Sequence, residues 1–231
     1  YKNIDDSYKI FKILKKENNL LKLIIVGNQN FIPKYIIDNN DVFINGVIKQ
    51  SEVIELFDSK CFDVVLQTAA TTTGAKDVIE RPYVHVTDNT VMNAWIFREA
   101  TRTSVGHLLF PSCTVMYQPK VFAQTETDWS PLDEIYPAYF GVGNMKVFCE
   151  KMCDFYSRIG ETKFTAFRHS NVYGPYDKFD LDKCHVVPAF VNKVINAEDT
   201  LEIWGKGNAS RDIIYIDDLI DFIDKCIQNQ E

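Results

Sequence analysis

The most constraining feature of this sequence is an alternation that runs from end to end. Short, dense apolar runs at residues 20–26, 42–44, 63–66 and 107–110, at the start of 164–179, and at 201–204 read as strands. Between them, residues 7–19, 33–38, 51–57, 89–102, 146–158, 187–196 and 217–228 read as helices. In the first of these, Tyr8, Ile10, Phe11, Ile13 and Leu14 fall at helical spacing with lysines between. The run at 20–26 is aliphatic enough for a parallel strand covered on both faces. Strand and helix in strict succession predict the α/β class, with a doubly wound parallel sheet.

One stretch concentrates the polar groups. From Phe164 the chain reads Phe-Thr-Ala-Phe-Arg-His-Ser and continues Asn171-Val172-Tyr173-Gly174-Pro175. Small and apolar residues alternate as in a buried strand, and Gly174-Pro175 then force a turn. Open α/β sheets bind ligands in the crevice beyond such strand ends.

Composition excludes some partners. The chain has 231 residues, 46% hydrophobic and 25% charged, with a formal net charge of -7. That length holds one large domain, or one and a half. The acidic balance argues against nucleic acid, which wants a basic face. No run of 18 apolar residues occurs, so no membrane span is expected, and the polar, helix-patterned N-terminus is unlike a signal peptide. Six cysteines stand at 61, 113, 149, 153, 184 and 226 with no zinc-type spacing. Cys149 and Cys153 fall on one helix face and read as small core residues. The reducing cytoplasm is the expected compartment.

Taken with Asp177-Lys178-Phe179-Asp180, Cys184-His185-Val186-Val187-Pro188, Ile203-Trp204-Gly205-Lys206-Gly207-Asn208 and Ser210-Arg211-Asp212, the 164–175 stretch resembles the extended short-chain dehydrogenase/reductase family. These are the NAD-dependent epimerases and dehydratases of nucleotide sugars, and the motifs are most similar to the GDP-L-fucose synthase branch. The resemblance covers roughly residues 7 to 228. It implies a Rossmann-like NAD(P)-binding domain at 1–170 and a partial substrate-binding region at 171–231. It also implies NADP or NAD as cofactor, a nucleotide-diphosphate sugar as substrate, and a homodimer formed through the helices at Asn89 and Lys146.

The family's reaction moves a hydride between nicotinamide and a sugar carbon. It uses a tyrosine as proton donor, a lysine four residues later, and a serine or threonine that positions the sugar oxygen. Lys146 matches the lysine, but Val142 stands at the tyrosine position. Tyr139 lies seven residues before Lys146, two helical turns or roughly 10 Å along an axis. Alternatively, Gly141 and Gly143 form a non-helical loop that brings it closer. Cys113 occupies the serine position, so either its thiol serves or a local kink presents Thr114. Val115 holds the place of the branch's epimerisation cysteine, while His185 matches its second acid/base.

The resemblance further implies that Ala69, Ala70, Lys146, Ser170 and Asn171 border the cofactor. Asn171, His185, Lys193, Trp204 and Arg211 border the nucleotide sugar, with Lys193 and Arg211 suited to a diphosphate. Asn89 matches a helix asparagine whose role is structural. A dinucleotide fold opens with a glycine-rich loop that lets backbone approach the pyrophosphate. The available segment, Gly27 to Pro33, keeps one glycine of three. Two registers follow. Either residues 23–26 are the first strand with a degenerate loop, or they are the second strand and the loop lies upstream of Tyr1. Spacing favours the second, in which the sequence is a fragment or a reduced variant. Two functional classes remain open: a nucleotide-sugar oxidoreductase, or a catalytically silent relative that keeps the scaffold for binding or assembly.

Overall fold

The structure, a computed structural model, describes residues 8, 11, 12, 15, 16, 22–26, 42–45, 50–59, 62–71, 80–175, 177, 179–181, 184–203, 207 and 210–229. The expected loop at 27–33, the short helix at 33–38 and the indole of Trp204 lie outside these residues. Tyr8, Phe11, Lys12, Lys15 and Lys16 are helical, with Tyr8 and Phe11 buried.

Among the described residues seven strands follow: β1 (Leu23–Val26), β2 (Val42–Asn45), β3 (Val64–Leu66), β4 (His107–Pro111), β5 (Lys163–Phe167), β6 (Asn171–Tyr173) and β7 (Ile213–Tyr215). Interleaved with them are α1 (Gln50–Ser59), α2 (Pro82–Arg102), α3 (Phe140–Ile159), α4 (Val186–Ile195) and α5 (Ile216–Gln228). The ladders between these strands are parallel: β1 with β2, β3 with β4, β4 with β5, and β6 with β7. The class and the interleaving are those expected from sequence.

β4 is the hub. His107, Leu108, Leu109 and Phe110 are all buried, as a strand covered on both faces requires. Side chains alternate across it. Leu108 and Phe110 join Phe97, Ala100, Val105, Met145, Cys149 and Cys153 in one core beneath α2 and α3. Leu109 joins Phe167, Ile216, Leu219, Ile220 and Ile223 in a second core beneath α5. Helices thus cover both faces of one sheet. Cys149 and Cys153 are core residues, as expected. Burial pushes the Cys149 thiol up to about 11 and the Cys153 thiol higher, so both stay protonated. His107 is buried, with Nε2 2.8 Å from Thr165 Oγ1, and burial pushes its pKa down.

Four elements differ from expectation. α2 begins at Pro82, well before residue 89, because proline fits the first helical turn and loses no hydrogen bond there. His85 and Asp88 obscure the apolar period over that turn. α3 begins at Phe140, so Gly141 and Gly143 are helical and form no loop. Their bare Cα atoms are needed for packing. A Cβ on Gly141 would meet Val86 Cγ2 at 2.9 Å, and one on Gly143 would meet Ile135 Cγ2 at 2.8 Å. The strand beginning at 163 breaks after Phe167 and resumes as β6, so it does not run unbroken to Gly174.

Finally, residues 201–203 are irregular and exposed, where a strand was expected. The partner of β6 is β7, whose Ile213-Ile214-Tyr215 supplies β-branched and aromatic residues.

Candidate active site

The C-terminal ends of β3, β4 and β5 lie side by side. Gln67 N–H donates to Leu109 O (3.0 Å) and Ser112 N–H to Phe167 O (2.7 Å). This edge carries three of the segments singled out from sequence: Ala69-Ala70, Ser112-Cys113-Thr114 and Ser170-Asn171.

α3 brings Lys146 to the same edge. Its Nζ donates to Pro111 O at 2.9 Å and stands 4.7 Å from the centroid of the Phe110 ring. Lys146 and Cys113 are therefore neighbours, one on a helix and the other two residues past the end of β4. Burial pushes the Cys113 thiol up, and the Lys146 cation pulls against that rise. β4 ends at Pro111, and the chain turns sharply, with Tyr117 N–H donating to Thr114 O at 3.1 Å. The kink considered from sequence is present. It leaves Thr114 exposed and Cys113 half-buried.

Tyr139 ends a short 3-10 turn, Pro137–Tyr139, and caps α3. It is 37% exposed, its ring 6.1 Å from that of Tyr136. Because α3 runs unbroken from Phe140, two helical turns separate it from Lys146, roughly 10 Å along the axis. Its neighbours Pro137, Ala138 and Phe140 line a cleft of about 550 Å³ whose other wall is Pro82, Tyr83, Val86 and Thr87 of α2. Val142 is half-buried against the α2–α3 core and carries no transferable proton.

The Ala69-Ala70 segment is clamped from beneath. Gln67 Nε2 donates to Ala69 O (3.1 Å) and to Asn93 Oδ1 (3.0 Å). Asn89 exchanges hydrogen bonds with the Thr71 backbone and donates to His85 O. Gln67, Asn89 and Asn93 are all buried, whereas Ala69 and Ala70 are exposed. A buried polar ladder thus presents a small-residue turn whose backbone a flat ligand can approach closely. Asn89 is structural, as expected.

The remaining candidates belong to the 171–231 region. Asn171 Nδ2 donates to Asp212 O (3.0 Å), tying β6 to the residues before β7. His169 Nδ1 is 2.7 Å from Ser170 O. His185 is exposed and caps α4. Lys193 Nζ donates to Glu202 O (3.1 Å) and Arg211 Nη1 to Ser210 O (2.9 Å). Among the described residues no three His, Cys, Asp or Glu side chains gather to hold a metal ion, and no helix is long and apolar enough to cross a membrane.

Sequence reasoning passed over several residues of this edge. Glu150 receives Ser112 Oγ–H at 2.5 Å and a fork of bonds from Arg168, and Arg168 also donates to Tyr117 OH at 2.7 Å. The available signal was Glu150 one helical turn beyond Lys146. Asn93 was passed over as well, and Gln67 was read only as part of the Gln67-Thr68-Ala69-Ala70 turn.

The model of the NAD dependent epimerase/dehydratase family matches residues 13–231, nearly the whole chain. The chain belongs to that family. A GDP-L-colitose synthase of Yersinia pseudotuberculosis is 28% identical over 170 residues, 71% of this chain and 55% of that protein. A GDP-L-fucose synthase of Sinorhizobium fredii is 31% identical over 180 residues, 75% of this chain and 56% of that protein. The chain thus spans just over half the length of these relatives. Among solved structures, a UDP-glucose 4-epimerase of Thermotoga maritima superposes with a TM-score of 0.75 at 21% identity, covering 92% of this chain and 67% of the other. A GDP-L-fucose synthetase of Naegleria fowleri, solved with NADP, gives 0.69 at 16% identity, covering 89% of this chain and 72% of the other. These likenesses fix the Rossmann-like fold.

Proposed function

We propose that the chain acts as an NAD(P)-dependent nucleotide-sugar epimerase/reductase of the GDP-L-fucose synthase kind, on a 4-keto-6-deoxy nucleotide sugar or a related hexose. The observation that carries this reading is the placement of Lys146. Its ammonium is fixed at the C-terminal end of β4, next to Cys113, on the edge where doubly wound sheets bind their ligands. The residues present fit a nicotinamide dinucleotide: an exposed Ala69-Ala70 turn held from below, the lysine, and Ser170-Asn171 beyond β5. Bound there, the nicotinamide would exchange a hydride with the sugar carbon.

The chain's own groups would do the rest. Lys146 holds the cofactor ribose and, as a cation, favours the ionised form of the proton donor. Tyr139, exposed just before α3, moves the proton at the sugar oxygen. Thr114, exposed, or the Cys113 thiol hydrogen-bonds that oxygen; the thiol is the weaker donor. His185 serves as a second acid/base, a role for which imidazole can both give and take a proton. Lys193 and Arg211 meet the diphosphate, with Trp204 and Asn171 at the rest of the nucleotide sugar. Residues 171–231 form part of the substrate-binding region. Exposed Val91 on α2, with Phe148, Phe155 and Ile159 on α3, supports a homodimer through these helices. A cytoplasmic location goes with this chemistry.

A second reading has a specific observation behind it. Val142 stands one turn before Lys146, where the family keeps its tyrosine, and it packs into the core. A silent relative would keep the nucleotide-sugar site without turnover. The deciding experiment mixes the purified chain with NADPH and a GDP-4-keto-6-deoxyhexose and follows absorbance at the nicotinamide band. The enzyme reading expects saturable, protein-dependent NADPH oxidation. Binding of both ligands with no oxidation would replace it with the silent one.

A further inference from the structure

We propose that Glu150 and Arg168 form a charge-balanced brace that positions Lys146 and the turn carrying Cys113. This rests on the reading of Lys146 and Cys113 as site residues, yet its test reads a thiol rather than turnover, so either can fail alone.

The brace is nearly sealed: the Arg168 and Glu150 side chains are 18% and 15% exposed. Charges so placed are costly unless paired and hydrogen-bonded. Here each Arg168 nitrogen donates, and both Glu150 oxygens accept. Arg168 Nη2 donates to Glu150 Oε2 at 2.7 Å, and Arg168 Nε reaches Oε1 at 3.0 Å and Oε2 at 3.2 Å. Oε1 also accepts from Ser112 Oγ–H at 2.5 Å. The guanidinium lies 4.7 Å from the Trp129 ring centroid and donates through Nη1 to Tyr117 OH. Arg168 therefore holds both ends of the 112–117 turn, Ser112 through Glu150 and Tyr117 directly.

The brace also decides where Lys146 goes. Lys146 and Glu150 are one turn apart on α3, a spacing at which an ammonium and a carboxylate normally attract. With both Glu150 oxygens occupied by Arg168 and Ser112, the ammonium bonds the Pro111 carbonyl instead, at the end of β4. A lysine drawn back to Glu150 would leave that edge.

Cys113 reports the balance. Among the described residues, Lys146 and Glu150 from α3, Arg168 from the end of β5, and Tyr117 from its own turn are the charged and titratable groups around it. The first three act on its thiol electrostatically, the cations favouring the thiolate and the carboxylate opposing it. The test is the pH dependence of Cys113 alkylation by iodoacetamide, followed by peptide mass spectrometry. Arg168→Met leaves an unbalanced carboxylate and should raise the midpoint by about one unit. Glu150→Gln leaves an unbalanced guanidinium and should lower it by about one unit. Arg168→Lys should stay near the wild type, and Glu150→Gln with Arg168→Met should return towards it. Shifts of one sign in both single variants, or no shift in either, would overturn the brace and leave these residues as packing. If Arg168→Met does not fold, Glu150→Gln against Arg168→Lys decides alone: a fall in only the former supports the brace, and anything else refutes it.

Discussion

Lys146→Met should reduce turnover by about 100-fold or more while leaving the fold intact. The methionine keeps the apolar stem against Phe110 and loses only the ammonium and its bond to Pro111 O. Losing one neutral-acceptor bond at a half-buried site costs about 1 kcal/mol of stability, a small effect. In the proposed mechanism the functional loss is larger because the charge would act twice, anchoring the cofactor ribose and biasing the proton donor towards ionisation, a contribution of general acid–base type worth roughly 10²–10⁴-fold. Steady-state kinetics at saturating sugar, beside a thermal melt, separate the two. A fall in kcat with a melting temperature lowered by no more than about 2–4 °C is expected, with weaker NADPH binding alongside. Unchanged kcat would remove Lys146 from the chemistry.

Phe97→Ala should destabilise the chain by about 3–5 kcal/mol, the range for truncating a fully buried aromatic. Phe97 has no exposed surface. Its ring meets those of Phe110 and Phe164 edge-on, at centroid distances of 5.4 and 5.8 Å. One side chain thus joins α2 to β4 and β5. Such pairs add about 0.5–1.5 kcal/mol beyond the area buried. The cavity would open directly beneath the strand that leads into Ser112 and Cys113, so the site should loosen with the core. Denaturant unfolding of Phe97→Ala and Phe97→Leu reads the effect, the leucine variant losing less because more volume stays. Val121→Ala, at a fully exposed loop position, is the control and should change stability by no more than about 0.5 kcal/mol.

The parts of the fold visible in the sequence are those where burial is continuous or sharply periodic. His107 to Phe110 is buried throughout, and its apolar run is unmistakable. α5 repeats Ile216, Leu219, Ile220 and Ile223, all buried, at spacings of three and four. The misses have the opposite character. β6 and β7 are three residues each, too short to show a period, and exist because they pair with each other across some 40 residues. Gly141 and Gly143 left helix and loop both open, because local propensity argues against helix. What decides them is contact with Val86 and Ile135, invisible along the chain.

The candidate site was legible in the same uneven way. Lys146, Cys113, Thr114 and the Ala69-Ala70 turn follow from motif and strand position, and they share one edge of the sheet. Glu150 with Arg168, and Gln67 with Asn93, are long-range polar pairs. Only folding brings them together, and no spacing rule links them.

The most direct test of the account is a fluorescence titration of the wild-type chain with NADPH and NADH. Saturable enhancement of nicotinamide emission, reversed by the matching oxidised cofactor and weakened in Lys146→Met, is the predicted result. No saturable change with either cofactor up to millimolar concentration, from a chain that melts cooperatively, would contradict it.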